Sequence, residues 1–366
     1  MSRLSEVLPR RLDVPFLIAV AALTVVGVGM VHSTTGGTPR ADLWTRQLLF
    51  AALGLVGAAA LVAIDYRLLV KYSPWLYAAT VLVLLYLPLF GPRIAGTRSW
   101  LRVGGGFQIQ PSEFAKVAVA LLLARILEGD DRGYLSGKTV AVLCAAAGIP
   151  VLLILAQPDL GVALTHVPLL LAALFFGGLK GRFWAALALA GVLAAGSSWF
   201  FLKEYQKDRI RTFLDPGRAT QGAGYQVRQA RIAVGSGGIV GKGWRKGTQS
   251  RLGFLPVRHT DFVFAALAEE WGFLGVAGVL GLYGLLLHRG LAIAREARDR
   301  AGSLVVLLLV VDVSIQALVN VAMNVGLLPT TGITLPFVSY GGSSLLACWA
   351  MAGLCLSVAQ RRFVNA

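Results

Sequence analysis

Ten long apolar stretches divide the chain, with short polar segments between most of them. A helix needs about 20 residues to cross a hydrocarbon layer of about 30 Å. Membrane-spanning strands would instead alternate apolar and polar positions. The pattern therefore predicts an all-α polytopic membrane protein with ten transmembrane helices. We place them at residues 14–32, 46–64, 74–90, 111–128, 139–156, 160–176, 183–202, 262–287, 303–324 and 343–359.

The composition supports a membrane protein. Hydrophobic residues make up 56% of the chain, charged residues only 14%, and the mean hydropathy is +0.71. No linker or soluble domain interrupts the apolar stretches, so we predict one membrane domain over residues 1–366. Cys144, Cys348 and Cys355 all fall within apolar spans, and the histidines lack ligand spacing. Neither a disulfide framework nor a histidine metal site is expected.

The positions of Lys and Arg predict the orientation. Segments that a cytoplasmic N-terminus would place inside are rich in basic residues, such as Arg10 and Arg11 before the first span and Arg298 and Arg300 after the eighth. This favours both termini inside. The exception is a long, basic outer loop between helices 7 and 8, residues 203–261. The net charge of +16 is otherwise scattered over short loops, which indicates contact with anionic lipid and no nucleic-acid partner.

Three segments on the outer side interrupt the helical pattern, namely 91–116, 203–261 and 325–342. Irregular backbone at membrane depth is tolerated where it is buried in protein or lines a wet cavity. In the first segment, three glycines at 104–106 predict a tight reversal between two short extended pieces. Glu113 and Lys116 follow, three positions apart on one helix face, and charges in lipid should turn inward. They form either a structural ion pair or part of a substrate site.

Two further groups of polar residues sit within or beside apolar spans. Asp312, Gln316, Asn320 and Asn324 recur every four residues, so they lie on one helix face. Interhelical hydrogen bonding explains such a stripe better than substrate contact. The glycine-rich stretch 235–247 lacks the Ser or Thr of a nucleotide-binding phosphate loop and no strand precedes it. Its backbone N–H groups could still hold an anionic headgroup.

Two aspartates stand at the edges of spans. Asp159 lies in the short outer turn "QPDLG" between two helices, and Asp261 lies in "PVRHTDFVF" directly before the eighth span. On residue type alone, Asp261 is either an N-cap worth about 1 kcal/mol or a chemically active carboxylate, and the two roles are compatible.

Several long motifs resemble the shape, elongation, division and sporulation family, and they extend over almost the whole chain. They are "GTRSWL", "QIQPSEFAK", "QPDLG", "RQARIAVGSGGIVGKG", "FLPVRHTDFVFAALAEEWG" and "NVGLLPTTGITLPFVSYGGSS". The form of "FLPVRHTDF" favours the elongation branch over the division branch. The resemblance implies ten membrane helices in the bacterial cytoplasmic membrane.

The implied activity is a peptidoglycan glycosyltransferase, which polymerises lipid II on the outer face of the membrane. The implied partner is a class B penicillin-binding protein that crosslinks the product. The essential aspartate of the family matches Asp261. The positions of its central cavity and first outer loop match Glu113, Lys116, Asp159, Trp100 and Arg102.

The chemistry of such a reaction agrees with the residues. A sugar hydroxyl attacks an anomeric carbon while a diphosphate leaves, so a carboxylate such as Asp261 is needed as general base. Arg258 is a candidate contact for the diphosphate. Mg²⁺ or Mn²⁺ held by Asp261 and substrate phosphate would leave no multi-residue motif. A lipid II flippase, a division-type glycosyltransferase and a scaffold for the crosslinking partner are the alternatives.

Overall fold

The structure is a computed structural model and describes residues 12–94, 96–104, 107–130, 133–200, 202–215, 223–255 and 257–362. It is mostly helical within these ranges. The helices are α1 (Val14–Thr35), α2 (Leu43–Ala63), α3 (Tyr66–Lys71), α4 (Ser73–Phe90), α5 (Pro111–Glu128), α6 (Gly137–Ala156), α7 (Leu160–Thr165), α8 (Val167–Phe176), α9 (Gly181–Ser198), α10 (Glu204–Leu214), α11 (Ala223–Ser236), α12 (Thr248–Arg251), α13 (Val263–Arg295), α14 (Arg300–Val325) and α15 (Gly342–Arg361).

A helix lies on each of the ten predicted spans. Seven of the described helices are long and apolar enough to cross a membrane: α1, α2, α4, α6, α13, α14 and α15. Helix α5 has 18 residues but carries charges within it, and α9 is shorter in its apolar part. The predicted span 160–176 is divided into α7 and α8 at His166, where Pro168 follows in the first turn of α8. Proline removes a backbone donor, which explains the division.

The one sheet within the described residues is a hairpin of β1 (Leu101–Val103) and β2 (Phe107–Ile109). The strands are antiparallel and pair Arg102 with Gln108. This confirms the two extended pieces predicted around the glycines, although residues 105 and 106 of the turn lie outside the described ranges. The hairpin leads directly into α5 and brings this segment beside α15.

Helices α14 and α15 form the centre of the bundle. Helix α15 packs along α2, while α13 packs against both α14 and α1. Small residues permit the closest approaches: a Cβ at Gly353 of α15 would lie 2.8 Å from Cα of Ala58 in α2. The apolar faces of these helices meet in one large buried cluster. The central helices are thereby fixed close together, and the polar residues they carry have defined positions.

Helix α13 is interrupted at Gly272, which has φ of 64° and ψ of −164°. The break frees backbone groups that a helix would pair internally. The segment 237–243 supplies partners, because Lys242 N donates to Glu269 O at 3.0 Å and Phe273 N donates to Gly238 O at 2.9 Å. These bonds occupy backbone N–H groups of the glycine-rich stretch. The backbone N–H group of Lys242 is therefore not available to an anionic headgroup, and the prediction is wrong for this group.

The carboxylates of Glu269 and Glu270 strengthen the same junction. Lys242 Nζ lies 2.7 Å from Glu269 Oε1, and the backbone N–H of Gln249 donates to the same oxygen at 2.9 Å. Ser33 Oγ of α1 lies 2.7 and 2.6 Å from the two oxygens of Glu270. Both acidic residues of "AEEWG" are thus used to attach neighbouring segments to α13.

Candidate functional site

A cavity of about 550 Å³ opens at one end of the bundle, where the β-hairpin, the start of α7, the start of α13 and the segment after α14 meet. Its walls carry three carboxylates and many hydroxyl and amide groups. Its lining includes Arg46, Phe50, Trp100, Gln110, Glu113, Asp159, Thr260, Asp261, Gln316, Gly332, Thr334, Tyr340, Ser343 and Ser344. The chain 325–342, predicted to line a cavity, forms one wall as expected.

Asp261 is held at the cavity by its own backbone. Its carbonyl accepts hydrogen bonds from the side-chain amides of Asn320 at 3.1 Å and Asn324 at 3.0 Å. The side chain does not cap α13, whose N-cap is Phe262 without a side-chain bond. Burial raises the pKa of the Asp261 carboxyl to about 6, and the nearby charge of Asp159 adds to the rise. A carboxylate with this pKa is suited to proton transfer near neutral pH.

Asp159 does act as a helix cap. Its Oδ1 accepts from Val162 N at 3.2 Å at the start of α7, while Oδ2 accepts from Gln110 Nε2 at 2.9 Å. Burial raises the pKa of Asp159, with a smaller contribution from the charge of Glu113. The turn "QPDLG" therefore places a second carboxylate in the same cavity as Asp261.

Glu113 and Lys116 turn inward and form an ion pair of 2.9 Å, as predicted. Glu113 reaches the cavity wall, whereas Lys116 is fully buried behind it. Lys116 Nζ also donates to Gln316 Oε1 at 2.9 Å, and Gln316 Nε2 donates to Thr334 O at 3.2 Å. The pair thus joins α5 to α14 and to the wall of the cavity. The contacts of this ion pair are those of a structural pair. The carboxylate of Glu113 nevertheless lines the cavity, where a ligand could reach it.

Three of the four residues in the polar stripe of α14 make contacts of the kind that the spacing predicts, whereas both carboxylate oxygens of Asp312 are buried with no hydrogen-bond partner among the described residues. Asn320 Nδ2 bonds to Ile333 O at 2.7 Å as well as to Asp261, and Asn324 Oδ1 accepts from Ala265 N at 3.2 Å. Gln316 shares in the pattern through Lys116. The stripe therefore positions the backbone on both sides of the cavity.

The other predicted site residues are distributed differently. Trp100 lines the cavity, whereas Arg102 lies on the exposed face of β1 and is not part of the lining. Arg258 lies on the opposite side of the chain from Asp261, where its Nε donates to Thr34 O at 2.8 Å. His259 packs against the ring of Tyr340, with centroids 5.9 Å apart, which agrees with a structural role.

Sequence reasoning missed several groups at the cavity. Arg209 of α10 is close enough for its charge to oppose the raised pKa of Asp261. Ser343 Oγ accepts from the backbone N–H of Gln110 at 2.8 Å and so ties the hairpin to α15. Gln47 of α2 donates to Ser339 O at 3.0 Å and accepts from Gly341 N at 3.3 Å. The hydroxyl-rich motif "SYGGSS" was the available signal for the serines, while nothing in the sequence linked Arg209 to Asp261.

The two aspartates of the cavity are oxygen ligands of the chemical kind that hard divalent cations bind. Asp261 and Asp159 offer two carboxylates, and no cluster of three or more His, Cys, Asp or Glu suited to a metal occurs among the described residues. Mg²⁺ and Mn²⁺ accept such partial protein ligation, with water and phosphate oxygens completing the shell.

Comparison with known proteins identifies relatives of this chain. The profile of the family described as cell cycle protein, FTSW_RODA_SPOVE, matches residues 13–363. The peptidoglycan glycosyltransferase MrdB of Escherichia coli (strain K12) is 39% identical over 355 residues, which are 96% of this chain and 94% of MrdB.

Two solved structures share the fold. One chain belongs to the structure called "Structural coordination of polymerization and crosslinking by a peptidoglycan synthase complex". It has a TM-score of 0.83 and 34% identity, and the match covers 97% of this chain and 99% of that one. The rod shape determining protein RodA of Thermus thermophilus has a TM-score of 0.72 and 33% identity, covering 97% and 98%. This agrees with the elongation-type motif, and the chain belongs to the cell cycle protein family of FtsW, RodA and SpoVE.

Proposed function

We propose that this chain is an inverting peptidoglycan glycosyltransferase, which polymerises lipid II into glycan strands at the outer face of the bacterial cytoplasmic membrane during elongation. The names of MrdB and RodA support this assignment. The observation that carries it is the position of Asp261. Its half-buried carboxyl lines a cavity of about 550 Å³ while two asparagines hold its backbone.

The proposed topology has ten transmembrane helices, both termini in the cytoplasm and one membrane domain over residues 1–366. The basic residues of the short loops support this orientation. The region 203–261 then lies outside, although it is more than a loop because it contains α10, α11 and α12. With this orientation the cavity faces the outer side, where a lipid-linked sugar would be presented.

In the proposed reaction, Asp261 acts as general base. The acceptor sugar hydroxyl attacks the anomeric carbon of the donor, the bond from that carbon to the diphosphate oxygen breaks, and the configuration inverts. The hydroxyl proton passes to the carboxylate of Asp261. Because burial raises the pKa of this carboxyl to about 6, it is ionised at neutral pH and still basic enough to accept the proton.

The departing diphosphate requires positive charge close to the reacting carbon. Arg46 lines the cavity and Arg209 lies near Asp261, so both are placed to supply it. As the alternative role of Asp261, we propose that it would hold Mg²⁺ or Mn²⁺ together with Asp159 in place of acting as the base. A bound divalent cation would neutralise charge on the diphosphate.

The substrate contacts proposed for the cavity come from residues in several separate segments of the chain. Trp100 offers an aromatic face to a sugar ring, and Asp159 and Glu113 offer acceptors for its hydroxyl groups. Lys116 contributes by keeping Glu113 in place, at 2.9 Å. Arg102 stands on the exposed strand β1 at the approach to the cavity. Arg258 is outside the cavity and has no proposed contact with the reacting diphosphate.

A class B penicillin-binding protein is the proposed partner. The similarity to a chain from a peptidoglycan synthase complex, whose description couples polymerisation with crosslinking, supports it. Such a transpeptidase would crosslink the strands that leave the cavity.

The reaction is tested with purified protein, with and without the penicillin-binding protein, incubated with lipid II and either Mg²⁺, Mn²⁺ or EDTA. Glycan ladders on a gel that require Asp261 are the expected product. Movement of lipid II across a liposome bilayer without any ladders would instead identify a flippase. If the protein with its partner produces no polymer and moves no lipid II, the scaffold is the remaining function. Loss of the ladders in EDTA tests the metal separately.

A further inference from the structure

A second polar cavity lies on the other side of the chain that carries Asp261. Thr260 and Asp261 line the cavity described above, whereas Arg258 and His259 line a cavity of about 250 Å³ on the opposite side. This second space adjoins another of about 210 Å³, with which it shares Thr34, Thr38 and Arg258. We call the two adjoining spaces the arginine cavity. Each is much larger than the roughly 30 Å³ of one water molecule, so each accepts a group of several atoms.

Four arginines from separate segments converge on the arginine cavity: Arg40, Arg245, Arg251 and Arg258. Within the described part of the chain, none of them has a carboxylate within 4.0 Å. The only carboxylate in the lining is Glu270, which Ser33 already engages. An excess of unpaired guanidinium groups around a partly enclosed space favours an anionic ligand.

Arg258 is the most enclosed of the four. Its Nε–H is used on Thr34 O, and no hydrogen bond to another described residue uses its terminal nitrogens. Burial lowers the pKa of Arg258, and burial together with the charges of Arg40 and Arg258 lowers that of His259 to about 4. The histidine is therefore neutral, and the lining holds four arginines but one carboxylate, that of Glu270, which interacts with the charge of Arg245.

The backbone around the arginine cavity is strained. Arg245 has φ of 58° and Val257 has φ of 48°, values that side-chain-bearing residues rarely adopt. Such conformations cost about 1–3 kcal/mol each and persist where the surroundings enforce them, frequently at ligand sites. At Gly36, a Cβ would lie 2.5 Å from Arg245 Nη2, so the guanidinium rests directly against the turn after α1.

We propose that the arginine cavity is a second binding site, separate from the cavity of Asp261, for a phosphate or diphosphate group. Guanidinium forks match phosphate oxygens in bidentate fashion, so the arginines of the lining supply the hydrogen-bond donors. The group belongs either to a lipid headgroup or to a soluble phosphate. The site does not depend on the reaction proposed above.

The test uses the full chain in nanodiscs of phosphatidylcholine alone. Calorimetry measures the binding of inorganic pyrophosphate and, separately, of dioctanoyl phosphatidylglycerol. The test variant is Arg245→Gln with Arg251→Gln, because both side chains are exposed and their loss should leave the fold intact. The matched control is Arg93→Gln with Arg295→Gln, which removes the same charge from exposed positions outside the cavities described here.

We expect saturable binding of at least one probe, weakened about tenfold or more in the test variant and unchanged in the control. Asp261→Asn should bind as the wild type does, which separates this site from the catalytic one. Binding of pyrophosphate only indicates a soluble ligand, and binding of phosphatidylglycerol indicates a headgroup. The proposal is overturned if neither probe binds saturably, if the test variant binds as tightly as the wild type, or if Asp261→Asn abolishes binding.

Discussion

The side-chain amide of Asn324 donates a hydrogen bond of 3.0 Å to the backbone carbonyl of Asp261. Asn320, one turn earlier on α14, donates to the same carbonyl and also to Ile333 O on the facing wall. One helix therefore sets the separation between the segment that carries the candidate base and the segment opposite to it. The catalytic geometry depends on residues that need not touch the substrate.

Asn320→Ala should lower both stability and activity. The substitution removes three side-chain hydrogen bonds in a buried region, and an unsatisfied buried carbonyl costs about 1–3 kcal/mol. Thermal unfolding in detergent should show the loss, and polymerisation should fall through kcat more than through KM. Ser314→Ala is the control, because its hydroxyl bonds only to Val310 O of the same helix. Equal behaviour of the two variants would contradict the positioning role.

Asp261→Asn should keep the fold and lose polymerisation. The amide cannot accept the hydroxyl proton, so we expect the rate to fall by about 10²–10⁴-fold. Unfolding temperature should change little because no helix cap is lost. The control is Glu128→Gln, which replaces an exposed carboxylate at the end of α5 by an amide. This variant should polymerise normally. Ladders at the wild-type rate from Asp261→Asn would disprove the assignment.

The pH dependence of polymerisation should reflect the pKa of Asp261. In the folded protein this pKa is raised from 3.8 to about 6 by burial. The base is protonated and inactive below this value and ionised above it. Therefore kcat/KM should rise as pH increases from about 5 and level off by about 7. A profile that is flat across this range would exclude a base with the raised pKa.

Lys116→Met should destabilise the protein strongly. It leaves the carboxylate of Glu113 buried without its partner at 2.9 Å, and the buried Asp312 is also close enough to interact with the lysine charge. Breaking a buried ion pair from one side costs about 3–5 kcal/mol. The double variant Lys116→Met, Glu113→Gln should lose less than the sum of the two single changes. Additive losses, measured by thermal unfolding, would show that the pair is not coupled.

Gly272→Ala should disrupt the break in α13. Its φ of 64° disfavours a side chain, and the new Cβ would collide with the backbone of Gly241. We expect a loss of several kcal/mol or failure to accumulate in the membrane. Gly278→Ala on the same helix is the contrast, because a Cβ there meets nothing within 4 Å. That change should be neutral or stabilising by up to about 1 kcal/mol. If both variants destabilise the protein, the cause would be a general sensitivity of α13 to added side chains and not the break at Gly272.

Much of the helical framework could be predicted from the sequence, because the apolar stretches are long and helices satisfy their own backbone. The inward ion pair of Glu113 and Lys116 followed from the cost of charge in lipid. The hairpin followed from three consecutive glycines. In each of these cases the determining interactions are local along the chain or concern the membrane itself.

Other features could not be predicted, because they depend on contacts between distant segments. The sequence around Gly272 predicts a continuous helix. Only the structure shows that the helix breaks there and that segment 237–243 pairs with the freed backbone groups. Arg258 and Asp261 are three residues apart, and only the fold shows that they face different cavities. The pattern also could not decide whether Asp261 or Asp159 caps a helix, since both precede apolar runs, and the structure assigns the cap to Asp159.

The junction between segment 237–243 and α13 has a mechanical consequence. Backbone hydrogen bonds on both sides of Gly272, together with the contacts of Glu269, attach the segment firmly to the N-terminal part of α13. Residues 237–250 cannot shift alone, because several hydrogen bonds to α13 would have to break at once. A force applied to this stretch would therefore be transmitted along the first two turns of α13 to Asp261.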